Sequence, residues 1–252
     1  MSPDDTPHDT PHDSAQDAAA RVAAVLARVH AACDAAGRDR AAVRLLAATK
    51  TRTPEEIAQG VLAGLTLVGE NRAQELRDKK DAVAALLPAG TAAPEWHFIG
   101  ALQRNKVKYV VGRATLVHAV DSLKLGEELS ARVQELGLAA PLCVLVEVNT
   151  GGELSKAGVP PGQALDLCAA LAALPGLELR GLMTIPPETA DPAQARPYFE
   201  RLAALAEQGR TRGLPLSELS MGMSGDLEVA IACGATIVRV GTALFGPRRP
   251  RT

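Results

Sequence analysis

The chain has 252 residues, 47% of them apolar and only 2% aromatic, with a net charge of −2. That apolar content can bury a sizeable core, while near-neutral charge and few rings for stacking bases argue against nucleic acid or an anionic membrane as partner. No apolar run approaches the ~20 residues of a membrane span, and the scattered Cys33, Cys143, Cys168 and Cys233 form no CxxC or Cys/His cluster, so neither zinc nor a disulfide framework is indicated.

Residues 1–14, MSPDDTPHDTPHDS, are acidic and polar with a repeated Thr-Pro-His-Asp. They lack the basic and apolar regions of a signal peptide. They read as a disordered tail on a cytoplasmic protein. His8 and His12 in that tail are too weak a signal to propose a metal. A helix is expected over roughly 15–36, ahead of the first strand.

From residue 43 onward, short apolar runs alternate with helical stretches. The runs are VRLLAAT (43–49), LTLVGE (65–70), WHFIGA (96–101), TLVHAVD (115–121), LCVLVEVN (142–149), LELRGLMTI (177–185), LSELSMG (216–222) and TIVRVGT (236–242). Between them, PEEIAQGVLAG has proline in its first turn and glycine at its end, a helix signature. DSLKLGEELSARVQELG begins on an Asp-Ser cap and stops at glycine. DPAQARPYFERLAALAEQGRTRG and GDLEVAIACG follow the same grammar. Strands alternating with helices imply βα units and a parallel sheet. Eight units in about 200 residues imply a single-domain α/β fold, a closed (β/α)8 TIM barrel over 15–252 with an extra N-terminal helix. An open doubly wound sheet would carry a Gly-rich turn after its first strand; here Thr49-Lys50-Thr51-Arg52 occupies that place.

A barrel collects its functional residues at the C-terminal ends of its strands and often holds phosphate after strands seven and eight. Strand one ends in Lys50, strand two in Gly69-Glu70-Asn71, strand four in Asp121 and strand six in Met183-Thr184. Strand seven opens into SMGMSGDLE. There Gly222 and Gly225 allow close backbone approach, Ser224 offers a hydroxyl, and a helix start near Asp226 presents free N–H groups. Gly241-Thr242 adds a second small, donor-rich turn after strand eight. Either turn alone reads as an ordinary capped turn; the pair reads as a phosphate cup. A cup and a strand-end lysine in one mouth suggest pyridoxal 5′-phosphate, the lysine taking the aldehyde as a Schiff base. Lysine must be neutral to attack, and desolvation lowers its pKa from about 10.4. Arg239, inside apolar strand eight, either faces the pyridine nitrogen and keeps it unprotonated or pairs with Glu70 or Glu147.

The segments AATKTRTPEEI, VGENRAQEL, WHFIGALQRNKVKYV, HAVDSLKLGEEL, VNTGGELSKAGV, RGLMTIPP and LSMGMSGDLEVAIACGATIVRVGTALFGPR resemble the pyridoxal-phosphate homeostasis protein family, also called the proline-synthase co-transcribed family. The resemblance spans roughly 40–248 and leaves the acidic tail outside. It implies a barrel like the N-terminal domain of alanine racemase. Lys50 would be the Schiff-base lysine and Asn71 would lie beside the cofactor. Ser224, Gly225, Gly241 and Thr242 would hold the phosphate, Arg239 would face the pyridine nitrogen and Met183 would line the pocket. It also implies a monomeric carrier of the free cofactor, without established turnover, with apo pyridoxal-phosphate enzymes as potential recipients.

A racemase is the competing reading, and it needs a second acid/base opposite the lysine. Only ten residues follow Thr242, so no second domain is expected to supply it. Tyr109 and Tyr198 fall in outer helices, and His97 within WHFIG reads as a hydrogen-bonded core histidine. A weak racemase or lyase therefore ranks behind a carrier. A barrel binding some other phosphorylated metabolite, with Lys50 as an ion-pair partner, is the third reading. Lys156, in GGELSKAG, is the rival lysine, on a glycine-bracketed loop beyond strand five.

Overall fold

All eight apolar runs form strands in the computed structural model, which describes residues 11–153 and 156–247. They are β1 (Arg44–Ala48), β2 (Leu67–Glu70), β3 (Glu95–Phe98), β4 (Leu116–Val120), β5 (Leu142–Glu147), β6 (Leu177–Met183), β7 (Glu218–Ser220) and β8 (Ile237–Val240). Each pairs in parallel with the next. β8 returns to β1, with Leu46 opposite Arg239, and the barrel is closed. Most strands are shorter than the runs because the last residues of the run turn into the mouth; β2 instead loses its first two residues, and β7 is trimmed at both ends.

A helix follows every strand: α2 (Pro54–Leu62), α3 (Ala73–Leu86), α4 (Val107–Val110), α5 (Leu123–Glu135), α6 (Pro161–Ala172), α7 (Arg196–Thr211), α8 (Leu227–Ala232) and α9 (Thr242–Phe245). α2 starts with a full capping box, Thr53 and Glu56 each accepting the other's backbone N–H. Ser122 caps α5 through the Leu125 N–H. Ahead of the barrel, α1 runs Pro11–Ala35. It begins inside the stretch 1–14 that the sequence reads as a disordered tail, because Pro11 suits a first helical turn. Residues 1–10, with His8, lie outside the described residues.

Alternation along the strands sorts side chains between two cores. In β1, Leu45 and Ala47 face the helices while Leu46 faces the barrel axis, where it packs with Leu67, Leu116, Leu145, Met183 and Ile237. α1 buries Val22, Val25, Val29 and Ala32 on one face, about 1.5–3 kcal/mol for each fully buried valine. It also reaches the last two units. Arg21 donates to Leu244 O (2.8 Å) and Arg28 to Ser224 O (3.0 Å), and just beyond the helix Arg38 donates to Ile231 O (2.7 Å). The extra helix thus braces the loop after β7 and the short helix α9 after β8. Among the described residues no helix is long and apolar enough to cross a membrane.

Candidate functional site

At the C-terminal mouth of the barrel lies a cavity of about 640 Å³. Seven of the eight residues singled out from the sequence line it: Lys50, Asn71, Ser224, Gly225, Arg239, Gly241 and Thr242. Met183 does not. It is fully buried in the inner layer with Leu46 and Leu145, below the cavity floor. The run LELRGLMTI places it at a strand end, but β6 stops there with its side chain still inside the packed axis.

The lysine lies just past the end of β1, in the turn 49–52. Thr49 continues the outward set Leu45 and Ala47, and Lys50 continues the inward set Leu46 and Ala48. Lys50 is half-buried in the mouth, next to Ala48. Glu70 has the outward parity of Val68 and is fully buried among the helices, where its Oε1 accepts from Thr49 Oγ1 and Lys79 Nζ, both at 2.7 Å. Asn71, one residue on, turns back into the mouth. Its buried Oδ1 has no hydrogen-bond partner.

The GMSGD turn divides its two glycines. Gly222 has φ 91°, and a Cβ there would stand 2.5 Å from Ala230 Cβ, so this glycine serves the packing of α8. Gly225 faces open space, with no atom within 4 Å of an added Cβ. Asp226 accepts the Met223 N–H at 2.5 Å, and no side-chain bond caps α8. The Ser224 hydroxyl is therefore not used as a helix cap.

Arg239 points along the barrel axis. Its Nη1 donates to Ser220 O (2.8 Å) and Ser220 Oγ (2.6 Å), and its Nη2 to Thr184 O (2.9 Å). All three acceptors are neutral oxygens; neither Glu70 nor Glu147 takes its hydrogen bonds. Burial pulls its guanidinium down to about 10 while Glu147 and Asp226 oppose the shift, so it stays charged at neutral pH. Ser220 in turn meets His118 Nδ1 (2.8 Å), His118 Nε2 meets His97 Nδ1 (2.9 Å), and His97 Nε2 meets Glu95 Oε1 (2.9 Å). Burial lowers both histidines, and the His97 contact holds the Glu95 carboxyl down at about 2. An ionised carboxylate only accepts. With both rings neutral, His97 donates from Nε2, His118 donates from Nε2, and Ser220 donates to His118. His97 is thus a core histidine, and it lies outside the cavity lining.

Glu147, weighed from the sequence only as a partner for Arg239, ends β5 on the inward parity of Leu145 and lines the cavity. Parity could have found it. Burial, aided by the negative charge of Asp121 and opposed by Arg239, raises its carboxyl to about 7. Lys156 also lines the cavity, held by Glu153 (2.9 Å) and Pro186 O (3.2 Å). Tyr109 and Tyr198 sit on α4 and α7, away from the mouth.

The family model for the alanine racemase N-terminal domain matches residues 17–249. The chain is 45% identical over 219 residues to the pyridoxal phosphate homeostasis protein of Aquifex aeolicus, covering 86% of this chain and 92% of that one. PipY of Synechococcus elongatus PCC7942, solved with pyridoxal phosphate bound, superposes with a TM-score of 0.72 at 34% identity, covering 81% and 93% of the two chains. Alanine racemase from Corynebacterium glutamicum shares the fold at a TM-score of 0.64 and 18% identity, over 94% of this chain and 62% of the racemase.

Proposed function

The chain belongs to the pyridoxal phosphate homeostasis proteins, within the alanine racemase N-terminal domain family, and from that premise we propose that it binds pyridoxal 5′-phosphate and carries or buffers it. It would support vitamin B6 and amino-acid balance in the cytoplasm as a monomer, passing the cofactor to apo-enzymes, without turnover of its own. The observation that carries this reading is one cavity shared by the inward Lys50, the two turns after β7 and β8, and the buried Arg239.

The residues present fit the group. Four basic side chains, Lys50, Arg52, Lys156 and Arg239, line the cavity against two acidic ones, Glu147 and Glu188. Gly225 leaves room for an anion, and at Gly241 a Cβ would stand only 3.3 Å from Ala48 O. The orphaned Asn71 Oδ1 offers an acceptor to a ligand's polar group. When bound, the cofactor supplies an aldehyde and an electron-withdrawing ring. Lys50 would anchor it covalently, and Ser224, Gly225, Gly241 and Thr242 would hold its phosphate. Arg239 can only donate, so a ring nitrogen facing it stays unprotonated. That supports a carrier, because a neutral pyridine draws electrons poorly.

One observation favours the second reading, a weak racemase or lyase. In a closed eight-stranded ring β5 stands across from β1, so Glu147 faces the lysine's side of the cavity with a carboxyl that holds a proton near neutrality.

The test is borohydride reduction of the cofactor-loaded protein followed by peptide mapping. The pyridoxyl label should sit on Lys50, and Lys50→Ala should lose it while still binding inorganic phosphate. A wild-type label on Lys156 overturns the assignment.

A further inference from the structure

β1 ends at Ala48, so the strand that sets side-chain direction stops two residues before Lys50. From there the direction belongs to a turn. Residues 49–52 close it with a hydrogen bond from the Arg52 N–H to Thr49 O (3.1 Å). Thr51, third in the turn, has φ 65° and is the only non-glycine residue with positive φ among the described residues. This matches a type II turn, which favours glycine or asparagine at that place. A β-branched residue there is strained, and strain of this kind persists only where the surroundings impose it.

The constraint comes from α3, in the next βα unit. Lys79, 8% exposed, directs Nζ at Thr49 O (3.0 Å), Glu70 Oε1 (2.7 Å) and Glu75 Oε2 (2.7 Å). Those three bonds use all its protons. The same Glu75 oxygen accepts the Thr51 N–H at 3.2 Å. The two peptide groups that flank Lys50 are therefore gripped by one ion pair, the carbonyl on one side by Lys79 and the N–H on the other by Glu75. Glu70, fully buried, anchors Lys79 from behind and also accepts the Thr49 hydroxyl (2.7 Å).

We propose that Lys79 and Glu75 are positioning residues that aim the Lys50 amine into the cavity by holding the strained 49–52 turn; this rests on reading Lys50 as the anchoring amine. The rival role for the cluster is to fasten α3 to the barrel. Thr51 separates the two. Glycine adopts positive φ without strain, so Thr51→Gly lets the turn keep its shape when the grip is gone. It would do nothing for a loosened α3, nor for a charge effect of the missing ammonium on Lys50.

The experiment uses the whole chain and pyridine-4-carboxaldehyde, which has no phosphate and so reports on the lysine alone. The amine nitrogen adds to the carbonyl carbon, the carbonyl oxygen leaves as water, and cyanoborohydride delivers hydride to the C=N carbon, fixing the label. The rate is read at Lys50 by peptide mapping, with inorganic phosphate affinity as a check on the other side of the mouth. Lys79→Met should slow labelling at Lys50 about tenfold or more and leave phosphate affinity unchanged. Adding Thr51→Gly should restore most of the rate. Should Lys79→Met fail to fold, Glu75→Ala, at a partly exposed site, is expected to slow labelling in the same way and to be rescued by the same glycine. Wild-type labelling rates in a folded variant, or a loss that Thr51→Gly does not restore, overturn the proposal. Wild-type protein labelled on another lysine and not on Lys50 overturns the reading of Lys50, and the proposal with it.

Discussion

Replacing Glu147 by glutamine should stabilise the apo-protein at alkaline pH and do much less in acid. Glu147 is 6% exposed, and burial, with Asp121 adding to it and Arg239 opposing, raises its carboxyl from 4.5 to about 7. In the unfolded chain it ionises near its ordinary value. Between those two pH values the folded chain keeps a proton that the unfolded chain has released. The group's contribution to stability is therefore highest below pH 4.5, declines as pH rises, and levels off above about 7. At 1.36 kcal/mol per pH unit the decline totals about 3 kcal/mol. Glutamine keeps the shape and removes the charge, so the difference between Glu147→Gln and wild type should grow by about 2.5 kcal/mol from pH 5 to pH 8. For a chain of this size the Tm difference between the two proteins should be about 5–10 °C more favourable to the variant at pH 8 than at pH 5. Urea unfolding followed by circular dichroism at both pH values measures it. A difference between the two proteins that is the same at pH 5 and pH 8 refutes the reasoning, because Glu147 would then ionise as an ordinary hydrated carboxyl.

In the phosphate cup, Ser224→Ala or Thr242→Ala should weaken pyridoxal phosphate binding roughly ten- to hundredfold, the loss of one charged hydrogen bond; unchanged affinity in both, read by fluorescence titration, removes the cup. The loaded protein should exchange the α-protons of alanine and serine in D2O no faster than free pyridoxal phosphate; exchange at about 1 s⁻¹ or more would support the racemase reading, with Glu147 the first residue to mutate. Nitrogen-15 spectra of the apo-protein at pH 8 should show His97 and His118 both neutral and both protonated at Nε2. Since burial lowers both rings below the ordinary value of 6.5, their contribution to stability is full above that pH and is lost as pH falls below it; a Nδ1-protonated tautomer in either ring contradicts the direction assigned to the Arg239–Glu95 chain.

Much of this was legible before any coordinates. Eight apolar runs separated by capped helices could close only as a parallel barrel or open as a doubly wound sheet, and Thr49-Lys50-Thr51-Arg52 in place of a Gly-rich turn pointed to the barrel. Seven of the eight residues named from strand ends share one cavity, because in a barrel every strand end opens on the same mouth. α3, α6 and α9 carry no such signature in the sequence: none has a capping side chain, and α6 starts from a Pro-Pro pair.

What the chain's order of residues determined, then, was the period of each segment and the set of residues delivered to the mouth, since alternation and caps are local. Depth and direction were not local. Met183 and Glu147 both close a strand, yet one is sealed in the inner layer and the other lines the cavity. The two are register partners on β5 and β6, so neither strand position nor pairing separates them; only the packing of the closed barrel does. The grip on Lys50 required α3 to bring Lys79 and Glu75 against a turn 24 to 30 residues earlier. The Arg239 chain required β3, β4, β7 and β8 to send Glu95, His97, His118 and Ser220 inward at successive levels. Hydrogen bonds between residues so far apart in sequence exist only once the ring has closed, and barrel closure sets their distances.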